Sequence, residues 1–199
     1  RSIGNLAAHM QIAELIGSRG VIFHVGSPNG GDRKAALDRA VIAMKEVLKK
    51  APGDAQLIME NSGSVKKIGG SIEELGYLLK EVHNPRVKVC VDTAHSLEAG
   101  LIESYTPANV KKFFDVWDKE VGIKNIVAIH TNDSKTPYNS QNDKHENIGE
   151  GFIGMEGFRA LASEKRIAHC ACFLEVPGFD GNGSDKKNMD RIKQCFGIK

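Results

Sequence analysis

The segment IVAIHTNDSKTPYNSQNDKHENIGEG, residues 126–151, decides how the rest of this chain is interpreted. Its apolar run Ile126–Ile129 is typical of a buried strand, so His130 stands where that strand opens into a loop. Asp143 and His145 are separated by one residue, which in extended backbone places both side chains on one face. A loop rich in Asn, Asp, Ser and Gly suits tight turns and polar ligands. Taken alone, the segment is equally compatible with a solvated loop that carries incidental histidines.

Outward from this segment, apolar runs alternate with helical patterns along the whole chain. Strands are predicted at Val21–Phe23, Gln56–Met59, Val87–Val91, Ile126–Ile129 and Cys170–Leu174. Helices are predicted over Ile3–Ile16, Arg33–Lys50, Ser71 to about Val82, Pro107 to about Val121, Gly154–Glu164 and about Asp185–Phe196. Strands alternating with helices indicate a parallel sheet with helices on its faces. Continuous apolar runs, rather than alternating ones, favour strands that are buried on both faces.

Size and composition are those of one ordinary α/β domain over residues 1–199. The net charge of +2 gives no electrostatic signature of nucleic-acid binding across the whole chain. This value is still compatible with a basic surface on one side of the protein. The four cysteines form no CxxC pair, so we expect buried thiols in a reducing, cytoplasmic compartment, or in a nucleus or organelle if the source is eukaryotic. No apolar run approaches the ~18 residues of a membrane span. Because Arg1 is not an initiator methionine and a helix opens the chain, we expect an N-terminal truncation.

All five predicted strands end in side chains of the kind that bind metal ions. These are His24, Glu60, Asp92 with His95, His130, and Glu175. In an α/β barrel the carboxyl ends of the strands converge on one face, so these side chains would meet there with Asp143 and His145. Any one of them alone is more often a cap or a solvated loop residue. Four carboxylates in one place would repel one another unless cations offset their charge. Imidazole and carboxylate ligands together suit zinc or manganese, and adjacent ions favour displacement at phosphorus.

With these residues in view, the chain closely resembles the endonuclease IV family of apurinic/apyrimidinic (AP) endonucleases, which are TIM-barrel DNA-repair enzymes with three zinc ions. The matching segments are FHVGS (23–27), IMEN (58–61), VCVDTAH (89–95), IHTNDSKTPYNSQNDKHENIGEG (129–151) and FLEVPG (173–178). The resemblance runs from about Val21 to the last helix. It implies a TIM (β/α)8 barrel, present here as a partial barrel of five C-terminal strand–helix units without the N-terminal three.

The resemblance also implies a function and a ligand set. It implies base-excision repair by hydrolysis of the phosphodiester 5′ to an abasic site in duplex DNA, leaving a 3′-hydroxyl and a 5′-deoxyribose phosphate. Its implied zinc ligands are His24 and Glu60 at the first site; Glu60, Asp92, His130 and Glu175 at the second; and His95, Asp143 and His145 at the third. Glu60 and Glu175 rank first for catalysis, Lys135 is a candidate DNA contact, and manganese could replace zinc.

One departure and two alternatives accompany this interpretation. The family's first zinc takes a further histidine from a preceding strand, which this chain lacks, and His9 lies inside a predicted helix where it cannot substitute.

A sugar isomerase or epimerase of the related barrels would need a single divalent ion, which leaves His95 and the Asp143–His145 pair without a role. A DNA-binding remnant that no longer cuts is the second alternative. An open five-stranded piece exposes its first strand, so we expect a fragment of a longer protein, or one completed by a partner whose identity the sequence does not give.

Overall fold

A parallel five-stranded sheet forms the centre of the computed structural model, which describes residues 2–198. Its strands are β1 (Gly20–His24), β2 (Gln56–Glu60), β3 (Val87–Asp92), β4 (Ile126–His130) and β7 (Ala171–Phe173). They pair in the order β1-β2-β3-β4-β7, all parallel. Two further short strands, β5 (Asp133–Ser134) and β6 (His145–Glu146), form a separate antiparallel pair in the long loop. The predicted α/β class and the five predicted strands are confirmed.

The helices lie between the strands as the sequence predicts. They are α1 (Ser2–Leu15), α2 (Arg33–Lys50), α3 (Ile72–Val82), α4 (Thr93–Glu98), α5 (Pro107–Glu120), α6 (Gly154–Ala162) and α7 (Lys186–Phe196). Side-chain caps set several of their starts: Ser71 accepts a hydrogen bond from the Glu74 amide, and Thr106 accepts one from the Asn109 amide before Pro107. Helix α4 is not predicted by the sequence pattern, because its six residues are too few to show a helical period.

The two faces of the sheet carry different cores. One face packs against the helices through a large apolar cluster that includes Leu57, Val89 and Ile129. The opposite, concave face carries a small cluster of Ile58, Cys90, Val127 and Ala128, with Ile22 packed against it. Since side chains alternate along a strand, the residues that end β1 to β4 fall on this concave face. The inside of the partial barrel therefore has an apolar floor beneath its polar rim.

Both margins of the sheet are open within residues 2–198. Strand β1 pairs only with β2, and β7 only with β4. The expectation of buried thiols holds for Cys90 but is wrong for Cys172, which is exposed. Its exposure follows from the position of β7, whose outer edge has no neighbouring strand among the described residues. All four cysteines are free. Among the described helices, none combines the length and the apolar composition needed to cross a membrane.

Candidate metal centre

The parallel register brings the strand-end side chains next to one another. His24 pairs with Glu60 across β1 and β2, and Asp92 pairs with His130 across β3 and β4. A shift of register between Val89 and Cys90 accommodates an extra residue in β4 before these ends align. A cleft of about 690 Å³ opens onto the cluster and is lined by His24, Glu60, His130, Phe173 and Glu175, among others. The eight candidate ligands all lie in this region, in overlapping groups.

One group surrounds His130. Its Nδ1 atom lies 2.9 Å from Glu60 Oε1, 3.1 Å from Glu175 Oε2 and 3.8 Å from Asp92 Oδ2. Ligands that bind zinc at about 2.0–2.2 Å in a tetrahedron are about 3.3–3.6 Å apart, so this spacing fits one ion with small adjustments. Glu60, Asp92 and His130 are buried, whereas the Glu175 side chain is 51 % exposed. One ligand of this group therefore faces the cleft.

A second group joins His95 to Asp143 and His145. His95 Nε2 lies 3.1 Å from Asp143 Oδ1 and 3.4 Å from His145 Nε2, and the last two atoms are 3.9 Å apart from each other. The Nδ1 atoms of both histidines face backbone carbonyl oxygens, those of Asn61 and Glu175, at 2.9 Å. A carbonyl only accepts, so each Nδ1 donates and each neutral ring presents the Nε2 lone pair to this space. Two lone pairs at 3.4 Å require a cation or a proton between them.

The third group is the least complete. His24 Nε2 lies 3.7 Å from Glu60 Oε2, and its side chain is 44 % exposed. The other Glu60 oxygen faces His130 and, at 3.4 Å, His95 Nδ1, so the two oxygens of this carboxylate face different imidazoles. Of the residues described, His24, Glu60 and His95 form a further metal-type group, which does not include His9.

The electrostatics of the cluster favour positive charge. Burial opposes ionisation of Glu60, but hydrogen bonds from His130 and His95 outweigh it and lower the pKa of Glu60 to about 2. Burial likewise opposes protonation of His95, yet Asp92, Asp143 and Glu60 raise its pKa well above the usual value. The concentration of carboxylates therefore attracts protons, and would attract metal ions for the same reason.

A shell of buried amides and hydroxyls, which the sequence did not reveal, holds these ligands. Asn132 donates from Nδ2 to Asp92 Oδ2 at 2.6 Å and accepts from the Glu175 amide at 2.7 Å. Thr93 Oγ1 donates to the Asn132 carbonyl at 2.7 Å. The Oδ1 atom of Asp92 accepts from the His95 amide as the N-cap of α4, which leaves Oδ2 facing the cluster. Asp92 was predicted as a ligand, but its capping role was not.

A second carboxylate, Asp133, organises the loop behind the cluster. It is buried and accepts hydrogen bonds from the backbone amides of Gly149, Gly151 and Ile153 at 2.8–3.1 Å. Gly151 also approaches the loop so closely that a Cβ there would lie 2.3 Å from the Ser134 carbonyl oxygen. The motif NIGEG is therefore suited to the close packing of this loop against Asp133 and Ser134.

Two lysines, Lys135 and Lys67, lie on the loops beside the cluster. Lys135 is exposed and pairs with Glu146 at 3.4 Å. The lysine that contacts a candidate ligand is Lys67, whose Nζ lies 3.3 Å from Asp143 Oδ2. Its side chain is nearly half exposed, so it can also face solvent or a ligand on the same rim.

Comparisons with known proteins identify the family and the fold of the chain. A family model described as "Xylose isomerase-like TIM barrel" matches residues 1–195. The chain is 34 % identical to a "Probable endonuclease 4" of Natronomonas pharaonis, over 98 % of this chain and 69 % of that protein. Among solved structures, endonuclease IV from Thermus thermophilus superposes with a TM-score of 0.80 at 26 % identity, covering 98 % and 68 % of the two chains. A D-tagatose 3-epimerase-like protein shares the fold, with a TM-score of 0.71 at 17 % identity over 98 % and 68 %.

Proposed function

This chain belongs to the endonuclease IV family within the xylose isomerase-like TIM barrels, and on that premise we propose that it is a zinc-dependent DNA-repair endonuclease that cuts 5′ to abasic sites. The observation that carries the proposal is the placement of Glu60 between two groups of imidazoles. A carboxylate whose oxygens face His24 on one side and His130 on the other is suited to bridge two ions. Neighbouring ions of this kind lower the pKa of a water molecule and offset negative charge on phosphate oxygens.

Each side chain of the cluster has a role in this proposal. His24 and Glu60 would hold the first ion, and Glu60, Asp92, His130 and Glu175 would hold the second. His95, Asp143 and His145 would hold the third. Glu175 faces the cleft, so it and Glu60 are the carboxylates closest to where a phosphodiester would enter. The mixture of imidazole and carboxylate supports zinc, with manganese as a substitute.

The proposed substrate is duplex DNA that contains an abasic site. Lys67 and Lys135 are proposed to contact its phosphates, because both side chains are substantially exposed on the loops that surround the cluster. Such contacts position DNA without reading its sequence. This matches a substrate defined by a missing base.

The decisive experiment combines metal analysis with a cleavage assay. We expect two or three zinc ions per chain by plasma mass spectrometry, and zinc-dependent nicking of an abasic duplex but not of an intact one. Glu60→Gln should lose at least one ion and nick more than about 100-fold more slowly, because the bridge between two ions is broken. The control is Glu156→Gln on the exposed surface of α6, which should behave like the parent.

Other outcomes would favour the alternatives. A single manganese or magnesium ion together with isomerisation of a sugar would replace the endonuclease with a single-metal isomerase. Specific binding of abasic DNA without nicking, under zinc saturation, would indicate a DNA-binding remnant. The likeness to the epimerase-like protein covers the fold alone and does not favour the first of these.

A further inference from the structure

Glu98 is a buried carboxylate that the ligand set above does not use. It is the last residue of α4, three residues after His95, and has 0 % exposure. Its Oε1 atom accepts hydrogen bonds from Ser134 Oγ at 2.7 Å and from the Lys144 amide at 3.1 Å. Its Oε2 atom has no hydrogen-bond partner among the described residues. A buried carboxylate oxygen without a partner is costly, so an unpartnered Oε2 points to a missing cation or proton.

The surroundings of Oε2 identify where that partner would sit. A Cβ placed on Gly63 would lie 2.8 Å from Glu98 Oε2, 3.1 Å from Asp143 Cβ and 3.2 Å from His95 Cδ2. The three side chains thus surround one small space that only a glycine leaves free. His95, Glu98 and Asp143 also offer ligand atoms within 4.8 Å of one another. Because residues three apart on a helix share a face, α4 directs His95 and Glu98 to the same side.

We propose that Glu98 is a fourth protein ligand, through Oε2, of the ion held by His95, Asp143 and His145. The inference rests on the proposed function for the existence of that ion. Together with Asp143, Glu98 would provide two carboxylates, whose charge would balance that of a divalent cation. The ion would then tie α4, which carries His95 and Glu98, to the loop that carries Asp143 and His145.

The test compares Glu98→Gln with Ser134→Ala in the full chain. Glu98→Gln keeps the size of the side chain and its Oε1 acceptor but removes the charge and the proposed donor atom. We expect the dissociation constant of one zinc ion to rise more than about 10-fold relative to the parent. Competition with a chromophoric chelator would measure this constant. The metal-free form of Glu98→Gln should unfold at the same temperature or higher, because an unpartnered buried carboxylate has been removed, and zinc should raise that temperature less than in the parent.

Ser134→Ala removes a hydrogen bond to Glu98 while leaving the proposed ligand atom in place. We expect its metal-free form to unfold at a lower temperature than the parent, and its loss of zinc affinity to be smaller than that of Glu98→Gln, because the proposed ligand atom remains. Glu98→Asp keeps the charge but withdraws it by one methylene, so its affinity should fall between those of the parent and Glu98→Gln. This variant also serves as the test if Glu98→Gln does not fold.

The proposal is overturned if Glu98→Gln and Glu98→Asp bind every zinc ion within twofold of the parent, even if nicking is normal. It is also overturned if Glu98→Gln destabilises the metal-free form as Ser134→Ala does, since that is the behaviour of a purely structural carboxylate. A parent protein that binds no more than one ion would instead reject the proposed function itself. The two failures are therefore distinguishable.

Discussion

Asn132 holds two of the candidate ligands from a single buried amide. Its Nδ2 donates to Asp92 and its Oδ1 accepts from the backbone of Glu175, so one side chain fixes the relation between two strand ends. Partners of this kind orient metal ligands and commonly account for about 10- to 100-fold in affinity or activity. Asn132 is a positioning residue, since its polar atoms are already occupied by the protein.

We expect Asn132→Ala to lower zinc affinity and nicking by about 10- to 100-fold while the far-ultraviolet circular dichroism is unchanged. Part of the lost nicking should return at high zinc concentration, which would not happen if Asn132 took part in the chemistry. The matched control is Asn109→Ala, whose amide bonds to Ser104 on the surface. Equal zinc affinity in Asn132→Ala and the parent would contradict the assignment.

At the scale of single residues, the sequence predicted the candidate ligands that the fold brings together, but not the groups that orient them. His24, Glu60 and His130 end apolar runs, and that pattern is visible in the sequence because the strand period fixes which face they occupy. Asn132 and Glu98 are ordinary polar residues near strand ends. The role of Asn132 depends on the two partners of its amide, and that of Glu98 on an oxygen left without a partner, and only the folded chain determines these.

Helix α3 packs on α5 at a point where no side chain fits. A Cβ at Gly76 would lie 2.5 Å from the Glu120 carbonyl oxygen, so Gly76→Ala would force the two helices apart. We expect this substitution to lower the free energy of unfolding by about 1–3 kcal/mol, measured by urea denaturation. The control is Gly4 in α1, where an added Cβ would meet no other atom within 4 Å. Gly4→Ala should therefore raise the free energy of unfolding, by up to about 1 kcal/mol.

The loop after β5 depends on Asp133 in the same way that a helix depends on its cap. Its carboxylate accepts from the amides of Gly149, Gly151 and Ile153, and an asparagine would turn an NH2 group toward some of these donors. We expect Asp133→Asn to reduce the free energy of unfolding by about 1–3 kcal/mol, again measured by urea denaturation. Asp118→Asn is the control, since Asp118 accepts a single exposed amide bond from Ile123, and it should change stability by less than about 0.5 kcal/mol.

At the scale of elements, long amphipathic helices were predicted closely and short elements were missed. Helices α2 and α3 have side-chain caps that fix their starts, and Pro107 marks the start of α5. Helix α4 has six residues and depends on the Asp92 cap, while β5 and β6 have two residues each. Elements of this length are too short to show a period and are stabilised by tertiary contacts instead.

The candidate centre joins strands that are far apart in the sequence. Ligands come from the ends of β1, β2, β3 and β4, from the segment after β7, and from the long loop, so bound ions would cross-link the whole sheet. Without ions, Glu60, Asp92 and Glu175 repel one another, and protonated imidazoles would relieve part of that repulsion. A ligand that binds the folded state alone stabilises it by about 2.7 kcal/mol per site at about 100 times its dissociation constant.

We therefore expect a strong chelator to lower the unfolding temperature of the whole chain by several degrees, and added zinc to restore it. The loss of stability should originate near the candidate ligands, because the apolar core between the sheet and the helices does not depend on the ions. Amide exchange should accelerate most at the strand ends near Asp92 and His130 and in the loop around His145, and least around Trp117 in α5, which is fully buried. Uniform acceleration, including α5, would mean that the ions support the fold as a whole. No change in either quantity after chelation would show that zinc does not occupy the centre.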